Sequence, residues 1–329
     1  MAESEFELIA RLVERLPPPG PRVRIPSGDD AAVADHEGPL VISVDALIEG
    51  VHFTLPEFPM RAVGRKALAA ALSDLAAMAA VPCEAYVVLG IPEGAEGDGL
   101  LELADGLADV AERDGVSVVG GDLSRAPALL LSVTAVGTEP EDSPLLARAG
   151  AAAGEAVVVT GELGGAAAAL SLLDPGSAGP GTGIDKKLRQ SLLARQFDPR
   201  PRLAAGRALA AAGATAMIDI SDGLAADARH LAESGGVRLE LELEHLPLAE
   251  GLEAVHGSEH EARLRAASGG EDYELLACVP AERVAEARAV VEASGCALTE
   301  IGTVGAGEGA VIRDADGGEL EMPGFDHLR

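Results

Sequence analysis

The feature that most constrains how this chain can fold is the placement of carboxylates inside, or directly at the ends of, its most apolar segments. In "AALSDLAAMAA", residues 70–80, Asp74 interrupts a run of small apolar residues that is typical of a buried helix. Moving an ionised carboxylate out of water is costly unless a cation or a set of hydrogen-bond donors meets it. The fold must therefore bring partners to Asp74 from elsewhere in the chain.

The composition indicates cores built from small aliphatic side chains. The chain has 329 residues, of which 48% are hydrophobic but only 2% are aromatic, and it contains no Trp. This length favours two domains with sizeable cores. Because Ala, Val, Leu and Ile must fill those cores, we expect backbones to pack closely against one another.

The charge balance excludes some classes of partner. The net charge is −29, with 54 acidic against 25 basic residues, which argues against general affinity for nucleic acid or an anionic membrane surface. The N-terminus has neither the basic region nor the apolar core of a signal peptide, and the apolar runs end well before the roughly 18 residues that a membrane span needs. We therefore expect a cytoplasmic protein that binds no membrane.

The three cysteines lie far apart in the sequence. Cys83, Cys278 and Cys296 lack the paired spacing of a zinc site. Their positions favour neither a disulfide framework nor a structural metal, and we expect free thiols.

The pattern of apolar segments predicts an α/β fold, with helix and strand layers, in two domains. Ser4 and Glu7 form a capping box for a first helix, and Ala/Leu-rich helices are expected near residues 61–80 and 98–113. Strand-like segments alternate with them. The pattern lapses around residues 138–155 before "AVVVTG" begins a second set, which places the domain boundary near residue 148, between domains 1–147 and 148–329. The Gly/Pro/Ser-rich stretch 174–187 is predicted to be a linker or lid.

Acidic turns at the ends of apolar strands are the chemical signal of the sequence. No P-loop, protein-kinase catalytic loop or dinucleotide fingerprint is present. Taken singly, each Asp is better explained as a turn or helix-cap residue. The acidic and hydroxyl residues of these turns and of the apolar helix are Asp29, Asp30, Ser43, Asp45, Asp74, Asp122, Asp219, Ser221 and Asp222.

As a set, these residues favour a metal-assisted phosphate site. Asp219 lies between Ile218 and Ile220, where an unpaired charge would be expensive. The chain has only three Lys, at positions 66, 186 and 187, so multivalent cations are the economical partners. Oxygen-only ligands select Mg²⁺ or a similar hard ion, which usually arrives with phosphate oxygens in its shell. The sequence thus indicates nucleotide phosphate chemistry without a P-loop.

Six ordered blocks resemble a known family. "GDDAAV", "SVDALIEGVHF", "LSDLAAM", "GGDLSR", "IDISDGL" and "SGGEDYEL" are spread over nearly the whole chain and closely resemble the thiamine-monophosphate kinase family. That family belongs to the aminoimidazole-ribotide synthetase superfamily of ATP-binding proteins. The resemblance implies a two-domain fold whose N-terminal strands pair with those of a second subunit in a homodimer. It also implies ATP held between acidic loops with several Mg²⁺ ions.

The resemblance assigns roles to individual residues. The implied metal-binding residues are Asp30, Ser43, Val44, Asp45, Asp74, Asp122, Asp219 and Asp222. The implied ATP contacts are Gly121, Asp122, Arg148 and Ser221, and the implied substrate contacts are His52, Glu271 and Phe325. Val44 departs from the family, which usually has Thr there, so only its backbone carbonyl can serve. Each of three assignments has a structural alternative. Arg148 could pair with a surface carboxylate, His52 could be a solvated loop residue, and Phe325 could be a core anchor for the tail.

The reaction implied by the resemblance is direct phosphoryl transfer from ATP to thiamine monophosphate, with no residue acting as a covalent nucleophile. Alternatives are another ATP-dependent enzyme of the superfamily, such as aminoimidazole-ribotide synthetase, and a non-catalytic acidic metal-binding protein. The C-terminal "GFDHLR" lacks the terminal Cys of a hydrogenase-maturation relative. A non-catalytic metal-binding protein would not need carboxylates at strand ends or inside apolar helices.

Overall fold

The chain divides into two compact units. The computed structural model describes residues 5–27, 31–95, 97–174 and 184–320. Unit 1 comprises Met1–Leu75, Val81–Glu139 and Phe197–Pro199, and unit 2 comprises Ala76–Ala80, Pro140–Gln196 and Arg200–Arg329. The main change from one unit to the other thus falls after Glu139, and the boundary near residue 148 stays a prediction. Most of the segment 174–187 lies outside the described residues.

Unit 1 is built on a four-stranded sheet. Its helices are α1 (Glu5–Val13), α2 (Met60–Ala77) and α3 (Gly97–Asp114). Its strands are β1 (Val23–Ile25), β2 (Val33–Ala34), β3 (Leu40–Ile48), β4 (Val81–Ile91), β5 (Ser117–Arg125) and β6 (Leu130–Thr138). The sheet order is β3-β6-β4-β5, with β4 and β5 parallel and the other pairs antiparallel, while β1 and β2 form a separate antiparallel pair. The parallel pair follows from the crossover through α3.

The two predicted Ala/Leu-rich helices are confirmed as α2 and α3. They approach each other closely because each presents a glycine to the other's backbone. A Cβ added at Gly64 of α2 would lie 2.0 Å from the carbonyl oxygen of Leu103, and one added at Gly106 of α3 would lie 2.0 Å from that of Arg61. This reciprocal contact is the close packing that a core poor in aromatic residues demands.

Unit 2 is built on a larger mixed sheet. Its helices are α4 (Gly165–Leu173), α5 (Lys186–Phe197), α6 (Leu203–Ala211), α7 (Leu224–Gly235), α8 (Leu252–His256), α9 (Glu259–Ser268) and α10 (Val284–Ala293). Its strands are β7 (Ala156–Thr160), β8 (Ala216–Asp219), β9 (Arg238–Glu242), β10 (Leu275–Val279), β11 (Leu298–Gly305), β12 (Gly309–Arg313) and β13 (Glu319–Leu320). The seven strands lie in the order β13-β12-β9-β11-β7-β10-β8.

The core of unit 2 lies around the adjacent strands β7 and β10. Every residue of both strands is buried, so the sheet is covered on both faces, which explains why these segments read as continuous apolar runs. Together the two units give the two-domain α/β fold that the sequence predicts. Among the described helices, none is long and apolar enough to cross a membrane.

The glycine contact between α2 and α3 gives a stability prediction. Gly64→Ala and Gly106→Ala should each lower the free energy of unfolding by about 1–3 kcal/mol or more, because the new methyl group overlaps a helix carbonyl that cannot move aside. Gly99→Ala in α3 is the matched control, since its Cβ would make only ordinary contacts with the Met60 side chain, at 3.5 Å from Cγ and 3.8 Å from Cε, and it should be neutral or stabilising. Equal denaturant midpoints for all three variants would contradict this packing.

Candidate functional site

In unit 1 the structure joins two of the predicted metal-binding residues. The hydroxyl of Ser43, on β3, donates a hydrogen bond to Asp74 Oδ2, on α2. Asp74 is half-buried, whereas its neighbours Ser73 and Leu75 are completely buried. The question posed by the apolar helix thus has a first answer, because a hydroxyl from the sheet meets the carboxylate.

Alternation along β3 separates the remaining residues of this segment. Ser43 and Asp45 are half-buried, whereas the intervening Val44 is 66% exposed. One Asp45 oxygen, Oδ1, accepts a hydrogen bond from Ala46 N at 2.7 Å. Since side chains alternate across a strand, Val44 lies on the opposite face from Ser43 and Asp45. Only its backbone carbonyl could therefore serve a site built around the other two residues.

Gly121 and Asp122 lie on β5 and are exposed. A Cβ at position 121 would lie 1.9 Å from the carbonyl oxygen of Val87 on β4, so the glycine is required by the close approach of the two strands. The carboxylate of Asp122 accepts a hydrogen bond from Ser124 Oγ at 2.7 Å. The local geometry thus leaves Asp122 on the surface with an ordered carboxylate.

His52 is held by its own loop. Its Nδ1 accepts a hydrogen bond from the backbone N–H of Ile48 at 3.1 Å, which fixes the tautomer and leaves the proton of a neutral ring on Nε2. Its carbonyl oxygen accepts from Lys66 Nζ at 3.1 Å. Lys66 is completely buried on α2 and lies 5.2 Å from the centroid of the Phe58 ring. The buried lysine therefore fixes the backbone beneath His52.

In unit 2 the acidic turn after β8 depends on a residue that the sequence reasoning missed. Asp227, in the first turn of α7, accepts hydrogen bonds from the backbone N–H groups of Ser221 and Asp222, both at 3.1 Å through Oδ2. Asp227 is 3% exposed and Asp219 is 4% exposed. Asp227 was discoverable by the criterion that singled out Asp74, namely a carboxylate in an Ala/Leu-rich helix.

The electrostatics of this turn indicate a place for a cation. Burial, together with the charges of Asp219 and Asp222, raises the pKa of Asp227 to about 8, against the lowering effect of the two backbone hydrogen bonds. The charges of Asp219 and Asp222 therefore act on Asp227, and a divalent cation would relieve the repulsion among the three carboxylates. Their oxygen-only donor set fits Mg²⁺.

The motif "SGGEDYEL" packs directly against the same turn. Backbone N–H groups of Glu271 and Tyr273 donate to the carbonyl oxygens of Ser221 and Ile220, at 2.8 and 2.9 Å. A Cβ at Gly270 would lie 2.3 Å from the carbonyl oxygen of Ser221. The structure thus brings Ser221 and Glu271, predicted as an ATP contact and a substrate contact, to adjacent positions.

The backbone of this second motif is strained. Glu271 and Tyr273 have φ values of +69° and +51°, a region that non-glycine residues seldom occupy. Such strain, of order 1–3 kcal/mol for each residue, persists only where the surroundings impose it. The Glu271 carboxylate is held by Gln196 Nε2 at 2.7 Å, so the side chain is oriented as well as the backbone.

A buried ion pair and a helix terminus hold the strained segment in place. The Glu274 side chain is completely buried and receives bonds from Arg202 Nε, Arg202 Nη2 and Thr160 Oγ1, at 2.7, 2.5 and 2.7 Å. The Asp272 carboxylate accepts from the N–H groups of Gly164 and Ala166 at the start of α4, at 2.7 and 3.2 Å. Desolvation raises the pKa of Asp272 to about 7, although both backbone bonds favour the ionised form.

The remaining predicted residues are not gathered by the structure. Arg148 is exposed, and it makes no hydrogen bond or ion pair with the described residues. Asp29, Asp30 and Phe325 lie outside the described residues. Within the described part of each unit, no three carboxylates of the predicted set come close enough to surround one ion.

Two family models together match most of the chain, and a curated protein aligns with its full length. Residues 28–138 match the AIR synthase related protein N-terminal domain, and residues 152–315 match the corresponding C-terminal domain. The thiamine-monophosphate kinase of Escherichia coli strain K12 is 35% identical, with 100% of this chain and 99% of that protein aligned.

Two solved structures have the same fold. The thiamine-monophosphate kinase of Stenotrophomonas maltophilia K279a superposes with a TM-score of 0.82 at 34% identity, covering 97% of this chain and 98% of the other. A structure described as AaThiL complexed with AMPPCP and TMP superposes with a TM-score of 0.76 at 33% identity, covering 88% and 87% of the two chains.

Asp227 is expected to stabilise the turn after β8 through its two backbone hydrogen bonds. Asp227→Ala removes the acceptor of two backbone N–H groups and should lower the free energy of unfolding by about 1–3 kcal/mol. Asp227→Asn keeps an acceptor oxygen and removes the repulsion from Asp219 and Asp222, so it should be at least as stable as the wild type in excess chelator. Denaturant unfolding distinguishes the variants, and equal losses for both would show that Asp227 does not order the turn.

Proposed function

The chain belongs to the thiamine-monophosphate kinase family, and on this premise we propose that it transfers the γ-phosphoryl group of ATP to thiamine monophosphate. The products are thiamine diphosphate and ADP. The observation that carries this conclusion is the identity over the full length of the E. coli kinase. A relative of the same fold has been captured with AMPPCP, an ATP analogue, and TMP.

Transfer is direct, without a phosphorylated enzyme. A terminal phosphate oxygen of thiamine monophosphate attacks the γ-phosphorus, and the bond from that phosphorus to the bridging oxygen of ADP breaks. The nucleophile is supplied by the substrate, so the protein's task is to position two anionic groups in line and neutralise the charge between them. No His or Cys of the chain is required as a nucleophile.

In unit 1, the proposed Mg²⁺ ligands are oxygen atoms of β3, α2 and β5. Support comes from the hydrogen bond that Ser43 donates to Asp74. This bond orients the Asp74 carboxylate and partly offsets the free-energy cost of placing it on an apolar helix. Asp45, Asp122 and the Val44 carbonyl oxygen complete the proposal, together with Asp30. Bound Mg²⁺ would supply electrostatic stabilisation of the phosphates.

In unit 2, Asp219 and Asp222 are the proposed Mg²⁺ ligands, and Asp227 holds the turn that carries them. The raised pKa of Asp227, with burial and these two charges as its causes, supports the need for a cation here.

The proposed ATP contacts are Gly121, Asp122, Arg148 and Ser221.

Glu271, His52 and Phe325 are the proposed contacts to thiamine monophosphate. Support for Glu271 is its hydrogen bond from Gln196 and its strained backbone. Its carboxylate suits a cationic group such as the thiazolium ring of thiamine. His52 offers an Nε2–H donor suited to phosphate.

We further propose that the protein is a homodimer that pairs through β3. This strand is an edge of the four-stranded sheet, and one of its faces exposes Leu40, Ile42 and Val44, at 45%, 59% and 66%. An exposed apolar edge strand is otherwise an aggregation hazard. A monomer mass in light scattering over a range of salt concentrations would refute this proposal. The cytoplasmic location remains a prediction from the sequence.

Labelled ATP tests the proposed reaction. With γ-³²P-ATP and thiamine monophosphate, label should appear in thiamine diphosphate, and the chain should stay unlabelled because transfer is direct. With γ-³²P-ATP alone, the chain should also remain unlabelled. Stable label on the protein that passes to added thiamine monophosphate would contradict direct transfer, and absence of labelled thiamine diphosphate would contradict the activity.

Substitution of the acidic residues tests the metal assignment. Asp74→Asn and Asp219→Asn keep the side-chain shape and remove charge, so each should lower turnover by roughly 10²-fold or more at limiting Mg²⁺. Asp98→Asn is the control, since the Asp98 side chain is 95% exposed on α3, and its rate should match the wild type. Rates are measured over a Mg²⁺ titration, with unfolding curves to verify the fold. Wild-type rates for both variants would return Asp74 and Asp219 to a structural role.

A further inference from the structure

A second group of metal-binding side chains lies in unit 1, among residues that the proposed reaction does not use. One ligand atom each from His36, Cys83 and Glu84 lies within 4.8 Å of the other two. His36 Nε2 lies 3.0 Å from Glu84 Oε2. No spacing motif in the sequence predicts this group. His36 lies in the segment that connects β2 and β3, whereas Cys83 and Glu84 are consecutive residues of β4.

A β-bulge brings the two consecutive residues together. Pro82 pairs with Gly137 of β6 and Glu84 pairs with Val136, so Cys83 is the extra residue of β4 at this point. In a regular strand, neighbouring side chains point to opposite faces of the sheet. A bulge re-aims a side chain, and here Cys83 and Glu84 both come within reach of His36.

The buried carboxylate of this group has an unsatisfied oxygen. The Glu84 side chain is 2% exposed, and Oε2 accepts no hydrogen bond of good geometry among the described residues, although His36 Nε2 is close. His36 Nδ1 is also buried and lacks a hydrogen-bond partner within the described part of the chain. Burial raises the pKa of Glu84, opposed by the charges of His36 and Arg22. A buried acceptor without a donor calls for a further partner.

The donor chemistry selects the metal. Imidazole nitrogen, thiolate sulfur and carboxylate oxygen together suit Zn²⁺, whereas Mg²⁺ and Ca²⁺ prefer oxygen alone. Zn²⁺ bonds of about 2.0–2.3 Å in a tetrahedral site place ligand atoms about 3.3–3.8 Å apart. His36 Nε2 and Glu84 Oε2, 3.0 Å apart, are already near this spacing, and all three ligand atoms of the group lie within 4.8 Å of one another.

In the absence of metal, Cys83 is held as a thiol that donates a hydrogen bond to the Val81 carbonyl oxygen at 3.5 Å, with a cation and a hydroxyl close to its sulfur. Arg22 Nη1 donates to Cys83 Sγ at 3.2 Å, and Thr138 Oγ1 lies 3.7 Å from the same atom. Burial and the charge of Glu84 raise the pKa of the Cys83 thiol, and this outweighs the lowering by its hydrogen bond with Thr138 and by the charge of Arg22. Metal binding would release the thiol proton to solvent, and Arg22 would then hydrogen-bond the bound sulfur.

We propose that His36, Cys83 and Glu84 bind one Zn²⁺ ion, which fastens the segment after β2 to the bulge of β4. The His36 side chain is 17% exposed, which gives the ion a path from solvent and leaves a fourth coordination position for water. The role is structural, because the ion joins two parts of unit 1 that are distant in sequence.

The test measures zinc retained by the full chain. Protein stripped with a chelator is incubated with Zn²⁺ in excess Mg²⁺, which occupies oxygen-only sites, and then passed through a desalting column. About one zinc per chain is expected by elemental analysis. Cys83→Ser and His36→Ala should weaken zinc binding by more than the roughly 10- to 100-fold that loss of an outer-shell partner costs. Retention well below one zinc per chain in the wild type would overturn the proposal.

Cys296→Ser is the matched control, because Cys296 and Cys83 are each 8% exposed. It should retain zinc as the wild type does, and equal retention by Cys83→Ser would overturn the proposal. Should Cys83→Ser fail to fold, the double variant Cys278→Ser/Cys296→Ser leaves Cys83 as the only thiol. Zn²⁺ should then slow its modification by a thiol reagent at least tenfold, and an unchanged rate would also refute the site.

Discussion

The structure of unit 2 depends on how it accommodates carboxylates that its core removes from water. Glu274 is matched by the guanidinium of Arg202, and Asp272 by two N–H groups at the start of α4. Asp227 receives two N–H groups from the acidic turn and still has a strongly raised pKa. Each of these sets of hydrogen bonds ties together segments of backbone from different secondary-structure elements. The repulsion that remains around Asp227 is what a divalent cation would relieve.

These anchors explain how two distant motifs become one surface. Hydrogen bonds between residues 220–221 and 271–274 hold the turn after β8 against the segment before β10, and the absence of a side chain at Gly270 permits the contact. The strain at Glu271 and Tyr273 is sustained by the buried Glu274 and Arg202 pair. Loss of Arg202 would leave a buried charge unmatched, a change that typically costs 3–5 kcal/mol. Stability and site geometry therefore rest on the same residues.

The helices of unit 1 and the alternation along β3 could be predicted from the sequence, because they depend on the local pattern of apolar residues. Ala/Leu periodicity locates α2 and places Asp74 on it, and alternation explains why Val44 faces away from Ser43. The role of Arg202 depends on its long-range pairing with Glu274, which no local pattern encodes. Asp227 bonds to residues five and six positions away, and the criterion that singled out Asp74 could have found it. The cysteine spacing argued against a metal site, yet the bulge at Cys83 and the approach of His36 arise only in the folded sheet. Such tertiary placement is the part that sequence reasoning could not supply.

The central claim is that the acidic turns serve a kinase specific for thiamine monophosphate. Its most direct test offers the purified protein ATP and Mg²⁺ with four acceptors in parallel: thiamine, thiamine monophosphate, pyridoxal and formylglycinamidine ribotide. Phosphorylated product should form from thiamine monophosphate alone, at a rate that falls to background when Mg²⁺ is chelated. Preference for the ribotide would move the protein to the synthetase branch of the superfamily and contradict the substrate roles of Glu271 and His52.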